Sequence, residues 1–142
     1  MGAVKLESIL LTSLSQIETT GGNVLQALKV GDVGYVGFGE AYFSWVSSGA
    51  VKAWKRHKLM TMNLVVPVGQ VKFVFYLDGM GEVRVEMIGE DRYARITVPP
   101  GIWFGFQGLA KSQSLVLNLA SVPHQKSEVE RRALSAFKYD WD

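Results

Sequence analysis

The sequence predicts an all-β domain, a sandwich or barrel of jelly-roll type, and three observations carry that expectation. Short apolar runs with period-two alternation recur along the chain, glycine turns separate them roughly every 8–12 residues, and helical periodicity is almost absent. A chain of 142 residues fits one domain, 1–142, large enough to bury a core without staples.

Each element can be justified in order. From Val4 to Ile17, Leu10, Leu14 and Ile17 sit at helical spacing, while Ile9, Leu10 and Leu11 equally make a short strand; Gly21-Gly22 ends the segment either way. Glycines at 31, 34, 37 and 39 do not make a phosphate-cradling loop. Such a loop opens a helix, whereas Tyr42, Phe43, Trp45 and Val46 follow here, a β-forming aromatic stretch.

The stretch from Gly49 to Tyr76 reads as two or three strands with a turn at Pro67–Gly69. If Val51 to His57 is one regular strand, Val51, Ala53, Lys55 and His57 share one face and Lys52, Trp54 and Arg56 the other. The first face carries two small side chains and then two cationic donors. That is the makeup of a pocket wall, or of a solvated rim.

Beyond it, Asp78-Gly79 and Gly81 predict a turn, and Val83, Val85 and Met87 alternate with charged residues. Ala94, Ile96 and Val98 alternate before the stop at Pro99-Pro100-Gly101. Ile102 to Phe106 is apolar, and Ser114 to Leu119 is a strong strand with Asn118 as a polar group among apolar neighbours. Ser127 and Glu130 have capping-box spacing for a short helix, and the chain closes on Phe137-Lys138-Tyr139-Asp140-Trp141.

Composition excludes several classes. Net charge is +2 with the charges scattered, which argues against nucleic acid as a partner. The absence of cysteine removes disulfides, thiolate-bound metal and a cysteine nucleophile, and permits a reducing cytoplasm. The first twenty residues have an early Glu7 and no long apolar run, so they are expected to be neither a signal peptide nor a membrane span, and a cytoplasmic location is expected.

The ordered series GAVKAWKRH, MTMNLVVPVGQVKFVFY, ITVPPGIWFGFQGL, LVLNLASVPH and a terminal YDW resembles the cupin family of dTDP-4-dehydrorhamnose 3,5-epimerase, the RmlC-like sugar-nucleotide epimerases and ketoisomerases. The resemblance runs from about Val24 to Trp141. It implies a double-stranded β-helix whose barrel holds a nucleotide-linked keto-sugar, in a homodimer whose N-terminal strands pair with the partner subunit.

The resemblance also assigns residues. The family's general base, a histidine, is matched by Lys55; a second histidine after Pro-Pro-Gly is matched by Phe104; and the tyrosine acid of the last core strand is matched by Asn118. Lys52 stands where an arginine meets the diphosphate, Glu40 and Tyr42 stand near the nucleotide positions, and His57 lies two residues beyond the base. Lys55 and Lys52 reach one ligand only if the strand bends or bulges. Trp103 or Phe104 is expected to stack on a sugar or base, or simply to fill the barrel.

Metal cupins bind through positions that are here Lys55, His57, Met62 and Phe104, so no metal and no cofactor is expected. His124 is expected at the surface or behind the site. Two functions follow. One is an epimerase or isomerase with Lys55, neutralised by burial, as base and His57 or Lys52 as donor to the enolate oxygen. The other is a catalytically silent nucleotide-sugar-binding cupin serving as a carrier, regulator or subunit partner.

Overall fold

The computed structural model describes residues 3–77 and 81–142, so the turn expected at Asp78-Gly79 lies outside the described residues. Twelve strands are described: β1 Leu10–Ser13, β2 Gln16–Ile17, β3 Val24–Leu25, β4 Glu40–Val46, β5 Val51–His57, β6 Met62–Val68, β7 Gln70–Tyr76, β8 Val83–Gly89, β9 Ala94–Val98, β10 Trp103–Gly108, β11 Ser114–Ala120 and β12 Val129–Arg131. They form two five-stranded antiparallel sheets, β1-β9-β6-β11-β4 and β12-β5-β10-β7-β8, with β2-β3 as a separate ribbon. This is the all-β jelly roll that the alternation and turns predict, in the form of the barrel that the cupin resemblance implies.

Alternation explains the core. In β7, Val71, Phe73 and Phe75 point between the sheets and are fully buried, joined by Phe104 from the neighbouring β10 and by Val116 and Ile96 from the facing sheet. Each such side chain contributes about 1.5–3 kcal/mol by leaving water. The other face of the second sheet is covered too, because the C-terminal segment lays Phe137, Tyr139 and Trp141 over Trp54, Tyr76 and Trp103.

One open expectation is resolved and two change. The N-terminal segment takes its strand alternative, a 3-10 turn at Leu6–Ser8 leading into β1. Pro67 lies inside β6, at a register shift against β11 between Leu115 and Leu117, where a residue without an N–H is tolerated; the turn shrinks to Gly69, with φ of 84°. The helix expected at Ser127–Glu130 is a single 3-10 turn, Lys126–Glu128, followed by β12. Tertiary pairing wins there: Glu130 accepts two hydrogen bonds from Arg56, at 3.0 and 3.1 Å, instead of capping a helix.

Candidate functional site

The geometry of the site begins with an irregularity in β5. Phe104 pairs with Lys55 and Gly105 with Ala53, so Trp54 is an extra residue and the strand bulges there. Gly105 permits it: a Cβ at that position would lie 2.5 Å from the Ala53 Cβ. The bulge breaks the regular alternation. Ala53 and Trp54 both go to the outer face, while Lys52, paired with the inward Phe106, and Lys55, paired with the inward Phe104, come to the same side. The expectation that Val51 and Ala53 share the inward face with Lys55 is therefore corrected, and the bulge that would bring Lys52 towards Lys55 is present.

Inside the barrel a cavity of about 70 Å³ is bounded by Tyr42, Lys55, His57, Met62, Phe104 and Asn118, with His124 and Arg131 also on its wall. A shallower cleft of about 340 Å³ adjoins it through Lys55 and Arg131 and reaches Lys52. A larger hollow, about 500 Å³, lies between β1 and residues 26–33 against Arg95, remote from this group. Its wall has hydroxyls and the Asp32 carboxylate, but that carboxylate is already engaged by Arg95 at 3.7 Å and by the Lys29 amide at 3.0 Å, so the chemistry is assigned to the barrel.

His57 is 5% exposed, and its Nδ1 meets Glu128 Oε1, itself 3% exposed. Glu128 Oε2 accepts the Leu59 and Met60 amides at 3.0 and 3.2 Å. A carboxylate only accepts, so Nδ1 carries the proton and Nε2 keeps a lone pair. Burial pushes the His57 imidazole below its ordinary value, although the hydrogen bond and charge of Glu128 pull the other way. Burial pushes the Glu128 carboxyl up, but the His57 bond and the two amides together outweigh it and hold the group below the usual range. The pair is thus a neutral imidazole on an ionised carboxylate, the arrangement of a general base with its orienting group.

Lys55 is held below the ordinary lysine value, first by burial and then by the charges of Arg131 and Lys52. Across the cavity, Asn118 donates from Nδ2 to the Tyr42 hydroxyl at 2.9 Å, and the two are directly paired across β11 and β4. Since that oxygen accepts, Tyr42 retains its own proton to donate. Burial, outweighing the Asn118 bond, raises its value above that of an ordinary tyrosine. Asn118 is fixed in turn by accepting the Asn63 amide at 3.2 Å.

Other expected residues are placed differently. Glu40 is not on the cavity wall; its carboxylate accepts the His124 amide at 2.9 Å and holds that loop. Lys52 lies in the outer cleft, donating to the Trp45 carbonyl at 2.9 Å. Trp103 is corrected as a ligand platform, because it faces the outside of the barrel, packed between Arg56 and Arg132 guanidiniums at 4.7 and 4.6 Å. Phe104 does face inward and stacks on His57, centroids 5.9 Å apart. His124 is exposed, as expected, and also borders the cavity.

Glu128 and Arg131 went unread in the sequence. Only the Ser-Glu-Val-Glu-Arg alternation after Pro123 hinted at a strand there, and nothing local linked it to β5.

The four cupin metal positions, Lys55, His57, Met62 and Phe104, do converge on the cavity. Their donors are an amine, one imidazole, a thioether and no donor at all, which does not fit a resident divalent ion. Among the described residues there is no group of three His, Cys, Asp or Glu that could hold a metal.

No protein-family model matches the chain. A dTDP sugar isomerase from Desulfovibrio desulfuricans G20 superposes with a TM-score of 0.90 at 36% identity, covering 95% of this chain and 91% of that one. A dTDP-4-dehydrorhamnose 3,5-epimerase from Sulfolobus tokodaii gives 0.81 at 17% identity over 97% and 84% of the two chains. QdtA, a sugar 3,4-ketoisomerase from Thermoanaerobacterium thermosaccharolyticum in complex with TDP, gives 0.76 at 16% over 90% of each. The last two likenesses concern the fold alone. A probable low-salt glycan biosynthesis epimerase, Agl13 of Haloferax volcanii, is 31% identical over 84 residues, 55% of this chain and 54% of that protein, so the match spans about half the length of the curated relative.

Proposed function

The chain belongs to the RmlC-like cupin family of sugar-nucleotide epimerases and ketoisomerases, and from that premise we propose that it isomerises or epimerises a nucleotide-linked 4-keto-6-deoxy sugar without a metal. The observation that carries the reading is the imidazole of His57 facing the cavity on a buried carboxylate. His57 Nε2 takes the proton from the carbon beside the ketone, and the imidazolium that forms is stabilised by Glu128. The electron pair moves into the carbonyl to give an enolate oxygen. Lys55, as ammonium, donates to that oxygen. For epimerisation Tyr42 delivers its phenolic proton to the opposite face of the same carbon, and solvent then takes the proton from His57 and restores that of Tyr42. For ketoisomerisation Lys55 protonates the enolate oxygen to an enediol, takes the proton of the neighbouring hydroxyl in return, and His57 gives its proton to the former carbonyl carbon. This exchanges the roles that the sequence assigned to Lys55 and His57.

The same proposal includes a homodimer and a cytoplasmic location. Phe43 and Trp45 on the outer face of β4 are 62% and 53% exposed, and the β2-β3 ribbon exposes Ile17, Val24 and Leu25. A two-stranded ribbon is marginal alone in water, so exchange with a second copy supplies its cover. Light scattering should give a dimer; a monomer at micromolar concentration would remove this part. A reducing compartment suits a chain without cysteine.

Incubation in heavy water with a nucleotide-linked 4-keto-6-deoxyhexose should wash deuterium into the carbon beside the ketone. Tight binding with no exchange leaves the silent binding protein as the function instead.

A further inference from the structure

Asn118 sits on the buried face of β11, 3% exposed, and its partners fix which way its amide points. The Asn63 backbone N–H, on the neighbouring β6, can only donate, so the atom 3.2 Å from it is Oδ1. Nδ2 therefore faces the Tyr42 hydroxyl at 2.9 Å, with the Met60 sulfur 3.6 Å away beside it. The hydroxyl oxygen receives a hydrogen bond, and among the described residues the hydroxyl donates to no protein group. Its proton is left for the cavity, which Tyr42 borders from β4 of one sheet while His57 borders it from β5 of the other. An aspartate of the same shape would accept from both Asn63 and Tyr42 and turn the tyrosine's proton into the sheet.

We propose that Asn118 is a positioning residue that sets the direction of proton delivery: it holds Tyr42 as a donor to the face of the sugar opposite His57, and so commits the site to epimerisation rather than ketoisomerisation. When the Tyr42 O–H bond breaks and the proton goes to carbon, the electron pair stays on the phenolate oxygen. The Asn118 N–H already aimed at that oxygen stabilises it until solvent returns a proton. Burial raises the Tyr42 value, as do the charges of Glu40 and Glu128, and the Asn118 bond works against them. Lys55, His57, His124 and Arg131 are the other charged or titratable groups on the cavity wall, and among the described residues none is hydrogen-bonded to the Tyr42 hydroxyl. The inference rests on the proposed function for the reaction, whereas the polarity of the Asn118–Tyr42 pair is tested without it.

Epimer formation and deuterium incorporation are measured in heavy water on a nucleotide-linked 4-keto-6-deoxyhexose. Tyrosinate absorbance is titrated in parallel, the share of Tyr42 being the difference from Tyr42→Phe. The unmutated chain should give an inverted product. Asn118→Asp, at a pH where its carboxyl is ionised, should lower the ratio of inversion to exchange roughly 100-fold, as Tyr42→Phe does, and move the Tyr42 titration to higher pH. As pH falls and the buried carboxyl takes up a proton, it donates as the amide did, so the ratio should recover in Asn118→Asp but not in Tyr42→Phe. Asn118→Ser, uncharged and too short to reach both partners, should lower the ratio about 10-fold and serves where the aspartate variant does not fold. An unchanged ratio, an unmoved Tyr42 titration, an equal fall of inversion and exchange, or a keto-isomer as the sole product of the unmutated chain overturns the inference. If the unmutated chain neither exchanges nor inverts, the proposed function fails; a shifted titration then still upholds the polarised pair, and an unmoved one overturns that as well.

Discussion

On its outer face β5 presents Trp54 and Arg56 to the C-terminal segment; on its inner face it presents Lys55 and His57 to a cavity. The outer residues are all satisfied. Trp54 is 1% exposed, donates from Nε1 to the Leu134 carbonyl at 3.0 Å, and meets Tyr76 and Phe137 edge-on with centroids 5.4 and 5.3 Å away. Arg56 is matched by Glu130 and lies over Trp103. The inner residues titrate below their ordinary values, Lys55 through burial and the cations of Arg131 and Lys52, His57 through burial. One strand therefore spends one face on stability and keeps the other poised for a ligand, and substitutions on the two faces should separate stability from chemistry.

The largest effect on chemistry should come from His57→Asn. Loss of the base is expected to cut deuterium exchange by about 10³-fold, while the amide still donates to Glu128 and the unfolding midpoint hardly moves. Retention of most exchange would return the role of base to Lys55. The largest effect on stability should come from Trp54→Ala, at about 3–5 kcal/mol in a denaturant titration. A loss under about 1 kcal/mol would mean that the outer cluster does not anchor β12, with Arg131 in it and Glu128 in the turn just before it.

Glu128→Gln should act on both faces of the comparison. It removes the carboxylate that raises the His57 value, so the acid limb of the pH–rate profile should move to lower pH while the rate falls about 10²-fold. A fall in rate with an unmoved limb would make Glu128 a purely structural residue. Both His57 and Glu128 are held below their ordinary values, so the unfolded chain binds more protons below those values, and stability should be lost as pH falls through that window. Glu128→Gln should remove the carboxylate's share of that loss, at its acid end, and enlarge the imidazole's share.

Lys55→Met should slow exchange about 10-fold or more and yet stabilise the fold by up to about 1 kcal/mol, because the cation opposite Arg131 is gone. The sign with pH is definite. Lys55 titrates lower in the folded chain, so stability rises with pH between its folded and ordinary values, and the substitution should abolish that alkaline gain. A destabilised Lys55→Met would contradict the strained inner face. Smallest of all, Arg56→Ala should cost about 1 kcal/mol or less, as a half-exposed ion pair does, and leave the exchange rate unchanged.

Much of this fold was legible because it rests on local pattern. Val71, Phe73 and Phe75 alternate, Asn118 interrupts an apolar strand, and Gly69 and Gly101 sit at positive φ, so strands, faces and turns could be read residue by residue. The inward placement of Lys55, His57, Met62 and Phe104 follows from the same alternation once strand boundaries are known.

Only the tertiary structure decided the rest. An extra residue at Trp54 reversed the faces of Val51, Lys52 and Ala53, since a bulge depends on the partner strand and on Gly105, about fifty positions away. Glu128 reached His57, and Arg131 reached Lys55, across separations of 71 and 76 residues that no local spacing encodes. Trp103 went outward because the C-terminal aromatics made a second apolar layer there, so a buried aromatic no longer had to face the barrel. Period-two alternation specifies which face a residue takes relative to its neighbours; which faces meet, and which charges are brought together without partners, is settled only when the sheets close on each other.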